Sequence, residues 1–179
     1  ARKIGANEEL VRNASNVAAN LSKLGRPEEA YSLLLPLRDW VDRHADDDVR
    51  SVWYGHWAGT LGHIGRLREA VASFDVSIAC AERTGRRDTV GMAVLNLGVV
   101  LRTMGCLQRA FECSRRGVEL TSGDTVATTH LTLALLMHAR DQAETGRYAD
   151  ALQTLDELMP QLEAMGTVFW VRAAQTTQA

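Results

Sequence analysis

Ile64-Gly65-Arg66-Leu67-Arg68-Glu69-Ala70 occurs in variant form three more times along the chain. The variants are Leu24-Gly25-Arg26-Pro27-Glu28-Glu29-Ala30, Met104-Gly105-Cys106-Leu107-Gln108-Arg109-Ala110 and Thr145-Gly146-Arg147-Tyr148-Ala149-Asp150-Ala151. In each, a Gly is followed five residues later by an Ala, and the glycines lie 40, 40 and 41 residues apart. Self-similarity at a fixed period of this size is the mark of a stacked repeat architecture.

The residues on either side read as helices. Before Gly25, the residues Leu10, Ala14, Val17, Ala18, Leu21 and Leu24 fall at helical spacing over 6–24. After it, Pro27 suits the first position of a helix, and Glu28 and Glu29 suit its positive end. This second helix runs to about His44, and Pro36 inside it is expected to remove one hydrogen bond and bend it. The acidic run Asp46-Asp47-Asp48 reads as an N-cap cluster for a third helix over 48–64, with Trp53 and Trp57 in the core. Further helices follow over 67–84, 87–104 (capped near Asp88) and 107–120. The turn Thr121-Ser122-Gly123-Asp124 leads to a lengthened seventh helix, then an eighth over 148–164 that Pro160 bends. Thr167-Val168-Phe169-Trp170-Val171 starts a ninth, with Trp170, like Trp40, read as core. No stretch alternates with period two, so the repeat is a helix pair and not a propeller blade.

The motif has a mechanical explanation. A Gly lets the chain leave a helix in the left-handed conformation without steric cost, so the next helix folds back at once. The following Ala must then face the first helix closely. Seven residues before each Gly stand Ala18, Ala58, Gly98 and Ala139, all small, as that contact requires.

On these residues the chain resembles the tetratricopeptide repeat family, in its long-repeat form as in kinesin light chains and bacterial maltose-activator-like regulators. The small residue, the Gly, the residue two after it (Pro27, Leu67, Leu107, Tyr148) and the Ala match the family pattern in all four copies. The period exceeds the usual 34 residues, and HEAT and armadillo arrays share its length but lack the Gly-to-Ala signature. The resemblance implies an all-α, right-handed superhelix of four helix pairs plus the start of a fifth. The expected repeats are 6–45, 46–85, 86–123 and 124–166, with 167–179 beginning a further helix.

Composition bounds the function. Hydrophobic residues make up 46% and charged residues 23%, which suits a packed core. Lys and Arg number 20 against 22 Asp and Glu, so no basic excess marks a nucleic-acid surface. No apolar run reaches the length of a membrane span. Cys80, Cys106 and Cys113 lack a paired spacing and read as small buried side chains in a reducing, cytoplasmic compartment. No signal peptide is visible. The chain begins without Met and stops within a helical pattern, and so reads as a piece of a longer protein. A phosphate-cradling Gly loop, a nucleophile elbow and a His–Glu zinc motif are all lacking, so neither an enzyme nor a cofactor is expected. His56 and His63 lie seven apart, not the four usual for a metal pair on a helix, and no metal is expected there.

The resemblance also implies where a partner binds. In the family the first helix of each repeat lines the concave surface. The matching positions are Arg12, Ser15, Asn16 and Ala19, then Val52, Gly55, His56, Gly59 and His63. They continue as Met92, Leu95, Asn96, Val99 and Arg102, then Leu133, Leu136, Met137 and Arg140. Ser15 and Ala19 stand where a chaperone-tail clamp needs Lys and Asn, which speaks against that subtype. Apolar anchors rimmed by arginines suit a protein or peptide segment bearing acidic groups. Gly55, Gly59 and Gly62 share a face, and two readings stay open: close approach of a neighbouring helix, or of a ligand. The expected role is a peptide-binding scaffold within a larger bacterial signalling or regulatory protein. The alternative is the ligand-sensing domain of a transcription activator. Apolar solenoid ends offer a route to self-association.

Overall fold

The structure, a computed structural model, describes residues 2–122 and 128–164. The expected helix from Thr167, Trp170 within it, and the turn beyond Ser122 lie outside the described residues. Among the described residues all regular structure is helical: α1 (Arg2–Lys23), α2 (Pro27–Leu34), α3 (Arg38–His44), α4 (Asp47–His63), α5 (Leu67–Arg83), α6 (Arg87–Thr103), α7 (Leu107–Thr121), α8 (Thr128–Glu144) and α9 (Tyr148–Ala164). A 3-10 turn, Leu35–Leu37, joins α2 to α3 at Pro36, so these two act as one broken helix. Helices pack in consecutive pairs, α1 with α2, α4 with α5, α6 with α7 and α8 with α9. The pairs stack through α1–α4, α5–α6 and α7–α8 into an all-α superhelix.

Each reversal is built the same way. Gly25, Gly65, Gly105 and Gly146 have φ of 75°, 82°, 78° and 83°. At the second turn the Gly65 amide donates to the Gly62 carbonyl (3.1 Å) and the Arg66 amide to the Leu61 carbonyl (2.9 Å), capping two otherwise unpaired carbonyls. The Arg66 carbonyl then accepts from the Ala70 amide (3.0 Å), so the new helix starts one residue after the Gly. The small residues meet as expected. Ala18, Ala30, Ala58, Ala70, Ala110 and Ala139 are wholly buried, and a Cβ on Gly98 would stand 3.2 Å from Cβ of Cys113.

One core cluster runs through the first three pairs, from Val11 to Ala110, and a smaller one holds Leu136, Ala139, Leu155 and Leu158 in the fourth. Trp53 and Trp57 lie in the first, stacked at 5.3 Å, while Trp40 packs at its edge on His44. Of the cysteines only Cys80 is fully buried; Cys106 and Cys113 are half-buried. Asp46 caps α4 by accepting from the Val49 amide (2.8 Å). The expected cap at Asp88 is corrected: α6 begins at Arg87, its N-cap is Arg86, and Asp88 lies in the first turn. α9 continues as one helix past Pro160 to Ala164.

Between pairs, two interfaces repeat a three-layer stack. Arg66 lies over the Tyr31 ring (5.3 Å), and Tyr31 stacks on Trp57 (5.0 Å). Two repeats later Arg147 lies over Phe111 (4.1 Å), and Phe111 stacks on His138 (5.2 Å). The corresponding residues at the middle interface are Val71, Leu97 and Cys106, which form no such stack. A ladder of ion pairs also joins neighbouring pairs: Arg12 and Arg86 to Asp48, Arg116 to Glu82, and Arg102 to Asp141, while Arg83 to Asp47 ties α5 to α4 within the second pair.

This packing can be tested at its tightest contact. A Cβ at Gly117 would fall 2.4 Å from Cδ2 and 2.6 Å from Cγ of Leu95. Gly117→Ala should therefore cost about 1–3 kcal/mol by overpacking, and Leu95→Ala about 2–5 kcal/mol by opening a cavity. The double variant should cost less than the two together in chemical denaturation, whereas strict additivity would show that the two residues do not meet.

Stability should also depend on pH. Burial at the α7–α8 contact holds the His138 imidazole below its ordinary range, against an opposing pull from Asp141. Its neutral ring is favoured in the fold, so stability should be complete above about pH 6.5 and decline below it as the unfolded chain takes up a proton. A further decline is expected below about pH 4, because Arg83 holds the Asp47 carboxyl down to about 2 and Arg12 and Arg86 hold that of Asp48 down. His56, also lowered by burial, contributes to the same window. Thermal melts of the parent and of His138→Phe across pH should therefore show a shallower fall in the variant; a parallel fall in both would remove His138 as a cause.

Candidate ligand-binding cleft on the concave face

The first helices of the pairs, α1, α4, α6 and α8, present one side to a shared concave surface. An open cleft of about 610 Å³ runs along it. Its lining includes Gly55, His56, Gly59, Met92, Asn96, Val99 and Leu133, all expected there from sequence. Ala19 and His63, also carried over from the family pattern, line it too. A smaller recess of about 180 Å³ continues it past Val52 towards Asp88 and Thr89.

The glycines separate the two readings left open. A Cβ on Gly55 would meet Oγ of Ser77 on α5 at 3.3 Å, and one on Gly62 would meet Cγ2 of Val100 on α6 at 3.2 Å. Both are explained by neighbouring helices. Gly59 has nothing within 4 Å and leaves bare backbone in the cleft.

Eight expected groove residues line neither recess. Ser15, Leu95 and Leu136 are buried, at 0%, 1% and 8% exposure. Each lies three residues before the small residue that faces the second helix, and residues three apart share a helix face. They therefore turn inward, Leu95 onto Gly117 and Leu136 onto the α9 cluster. Arg102 is also corrected. Its side chain is 10% exposed and paired with Asp141 (2.7 Å) and Glu144 (3.6 Å), joining α6 to α8.

The other arginines are likewise occupied. Arg12 binds Asp48 (2.6 Å) and Arg140 binds Glu144 (2.8 Å). Asn16 is exposed and Met137 half-buried, and neither lines the cleft.

Sequence reasoning missed Ser22, Lys23, Thr60, Val100 and Thr103. Most of these continue the same stripes by one turn: Ser22 and Lys23 follow Ala19 by three and four residues, and Thr103 follows Val99 by four. Lys23 matters most, because no carboxylate lines the larger cleft and Lys23 has no ion-pair partner among the described residues. It stands at the same end as His63.

His56 lies deeper, where burial, with Lys23 adding repulsion, lowers its imidazole below the ordinary range. Its Nδ1 is buried without a partner. The cleft thus offers apolar walls, bare backbone, an unpaired ring nitrogen and a positive end. The smaller recess adds the carboxylate of Asp88 at the other end.

A second concavity, about 620 Å³, lies between α5 and α7 over α6, where Leu97 stands in place of a ring. Its walls carry both charges, and Arg116 and Glu82 on opposite walls are already paired (2.6 Å).

No protein-family model and no curated protein matches the chain. Solved structures do match. Two crystal structures, one of them of a point variant, are of a Podosopora anserina protein described as a kinesin light chain with nearly identical TPR-like repeats. They superpose with TM-scores of 0.79 and 0.78 at 17% identity, covering 96% of this chain and 84% of that one. A Signal Transduction ATPase with Numerous Domains from Pyrococcus horikoshii, which has a tetratricopeptide repeat sensor, superposes with a TM-score of 0.81 at 13% identity. That match covers 96% of this chain but 27% of the larger one. At such identities the likeness establishes the fold: an all-α superhelix of the tetratricopeptide type.

Proposed function

We propose that this chain is a protein- or peptide-binding module of the long-repeat tetratricopeptide type and that the concave cleft is its working surface. The observation that carries the reading is the lining of that cleft: Met92, Val99 and Leu133 as apolar walls, Gly59 as bare backbone, and Lys23 with no carboxylate nearby in the larger cleft. Such a surface suits a segment with apolar side chains and an acidic group that settles at Lys23 and His63. Asn96, exposed at the cleft, can bond the backbone of such a segment.

The role is binding and not catalysis. We read the module as cytoplasmic, and as part of a larger bacterial-type signalling or regulatory protein. The tetratricopeptide repeat sensor named for the Pyrococcus horikoshii neighbour supports the signalling part of this reading. The alternative, a ligand-sensing domain of a transcription activator, calls for an enclosed cavity, whereas this cleft is open.

The test uses exposed or bare positions, so that binding is separated from folding. Val99 is 40% exposed and Gly59 has open space in front of it. Val99→Asp and Gly59→Leu should abolish capture of peptides from an array of acidic–apolar sequences while leaving the helical circular dichroism signal unchanged. Lys23→Glu should shift selection away from acidic peptides. Undiminished capture by Val99→Asp would remove the cleft as the binding surface. Gly59→Ala, by contrast, should raise stability by about 0.5–1 kcal/mol, since a helix-interior Gly gains a Cβ that touches nothing; a lower melting temperature would contradict the open space at that site.

A further inference from the structure

Among the described residues, five of the nine large apolar residues left exposed cluster at the two ends of the superhelix, and Leu33, Leu35, Val99 and Met104 lie elsewhere. On α1 they are Leu10 (55% exposed) and Val17 (50%), seven residues apart on one helix face, with Leu24 (72%) in the turn just after its end. On α9 they are Tyr148 (68%) and Leu152 (46%). The repeat register says what these positions do elsewhere in the chain. Val17 corresponds to Trp57, Leu97 and His138. Trp57 and Leu97 are 3% and 7% exposed, and Trp57 and His138 stack on rings of the preceding pair, Tyr31 and Phe111. Leu10 corresponds to Arg50, Val90 and Leu131, of which Val90 is 4% exposed. Leu24 corresponds to Ile64, which packs on the core, to Met104, which is 36% exposed, and to Thr145, so Val17 is the position that the register decides. Leu152 in turn corresponds to Tyr31, Val71 and Phe111, the residues that the second helix of a pair presses onto the next pair.

The exposed face of α1 therefore carries the receiving half of the inter-pair contact, and α9 carries the donating half. We propose that the two ends are complementary to each other, so that α9 of one copy of this chain docks on α1 of a second copy and continues the superhelix across the junction. The proposed contact is a copy of an interface the chain already forms internally at α5–α6 and α7–α8. Because it joins two different faces and continues the superhelix, copies add head to tail and do not pair about a two-fold axis. It lies apart from the concave cleft: none of Leu10, Val17, Leu24, Tyr148 and Leu152 lines it. Its success or failure is thus separate from that of the binding reading.

Sedimentation velocity and light scattering on the full 179-residue chain test the proposal. Average mass should rise with concentration beyond that of a dimer. Val17→Glu removes the receiving face and Leu152→Glu the donating one, and each should leave a monomer with unchanged circular dichroism, since both residues are half exposed. Mixing the two variants should restore association, but only to a one-to-one heterodimer, because each supplies the face the other has lost. Three results would overturn the proposal: a parent chain that stays monomeric at its highest soluble concentration, a mixture that stays monomeric, or a Leu152→Glu variant that still dimerises, which would mean that α1 faces pair with one another. If either Glu variant loses helicity, Val17→Ser and Leu152→Ser answer the same questions with a smaller change.

Discussion

Close approach of two helices at a pair of small residues, enforced by a glycine with positive φ, underlies every other feature of the fold. With Gly65 at φ 82° the chain reverses in a single residue, and Ala58 and Ala70 are then buried to 0% exposure against each other's helices. A larger side chain at either position would separate the helices and cost overpacking energy. A residue with a Cβ at the glycine would oppose the left-handed backbone. Because the same device recurs at Gly25, Gly105 and Gly146, four hairpins of similar width result, and hairpins of similar width can stack.

Stacking is where the repeats stop being alike. The outer interfaces are filled by an arginine and two rings, Arg66–Tyr31–Trp57 and Arg147–Phe111–His138. The middle one has Val71, Leu97 and Cys106 at the same positions. With no ring at position 97, space remains above α6 on the convex side, and a cleft of about 620 Å³ occupies it. On the concave side the asymmetry runs the other way. Arg102, Asp141 and Glu144 tie α6 to α8 near their C-terminal ends, while Gly59 keeps α4 bare and Gly62 lets α6 approach it closely. The concave cleft therefore centres on α1, α4 and α6 and reaches α8 only at Leu133.

Much of the site is legible in the sequence, and the residues misplaced by it share a physical origin. The stripe through His56, Asn96, Gly59 and Val99 faces the cleft because it lies on the far side of each first helix from the Ala contact. The family pattern puts the stripe through Ser15, Gly55, Leu95 and Leu136 on the same surface, yet three residues from the Ala contact is still the inner side. Gly55 sits on the boundary, touching Ser77 while lining the cleft. Charge is harder to read. Arg12, Arg102 and Arg140 form a rim on paper, but each has found a carboxylate, at Asp48, Asp141 and Glu144, leaving Lys23 as the unpaired cation of the cleft among the described residues.

The hairpins are written in the order of residues alone. Helix ends, the left-handed glycines, the break at Pro36 and the Asp46 cap are set by contacts between residues a few positions apart, and local chemistry suffices to read them. The rotation of each helix about its axis, the partners of the arginines and the shape of the concave cleft arise only in the folded chain. They follow from contacts between residues some 36 to 39 positions apart, such as Arg12–Asp48 and Arg102–Asp141. A repeat period puts such residues in register, but which side chains meet is settled by the packing of one pair on the next.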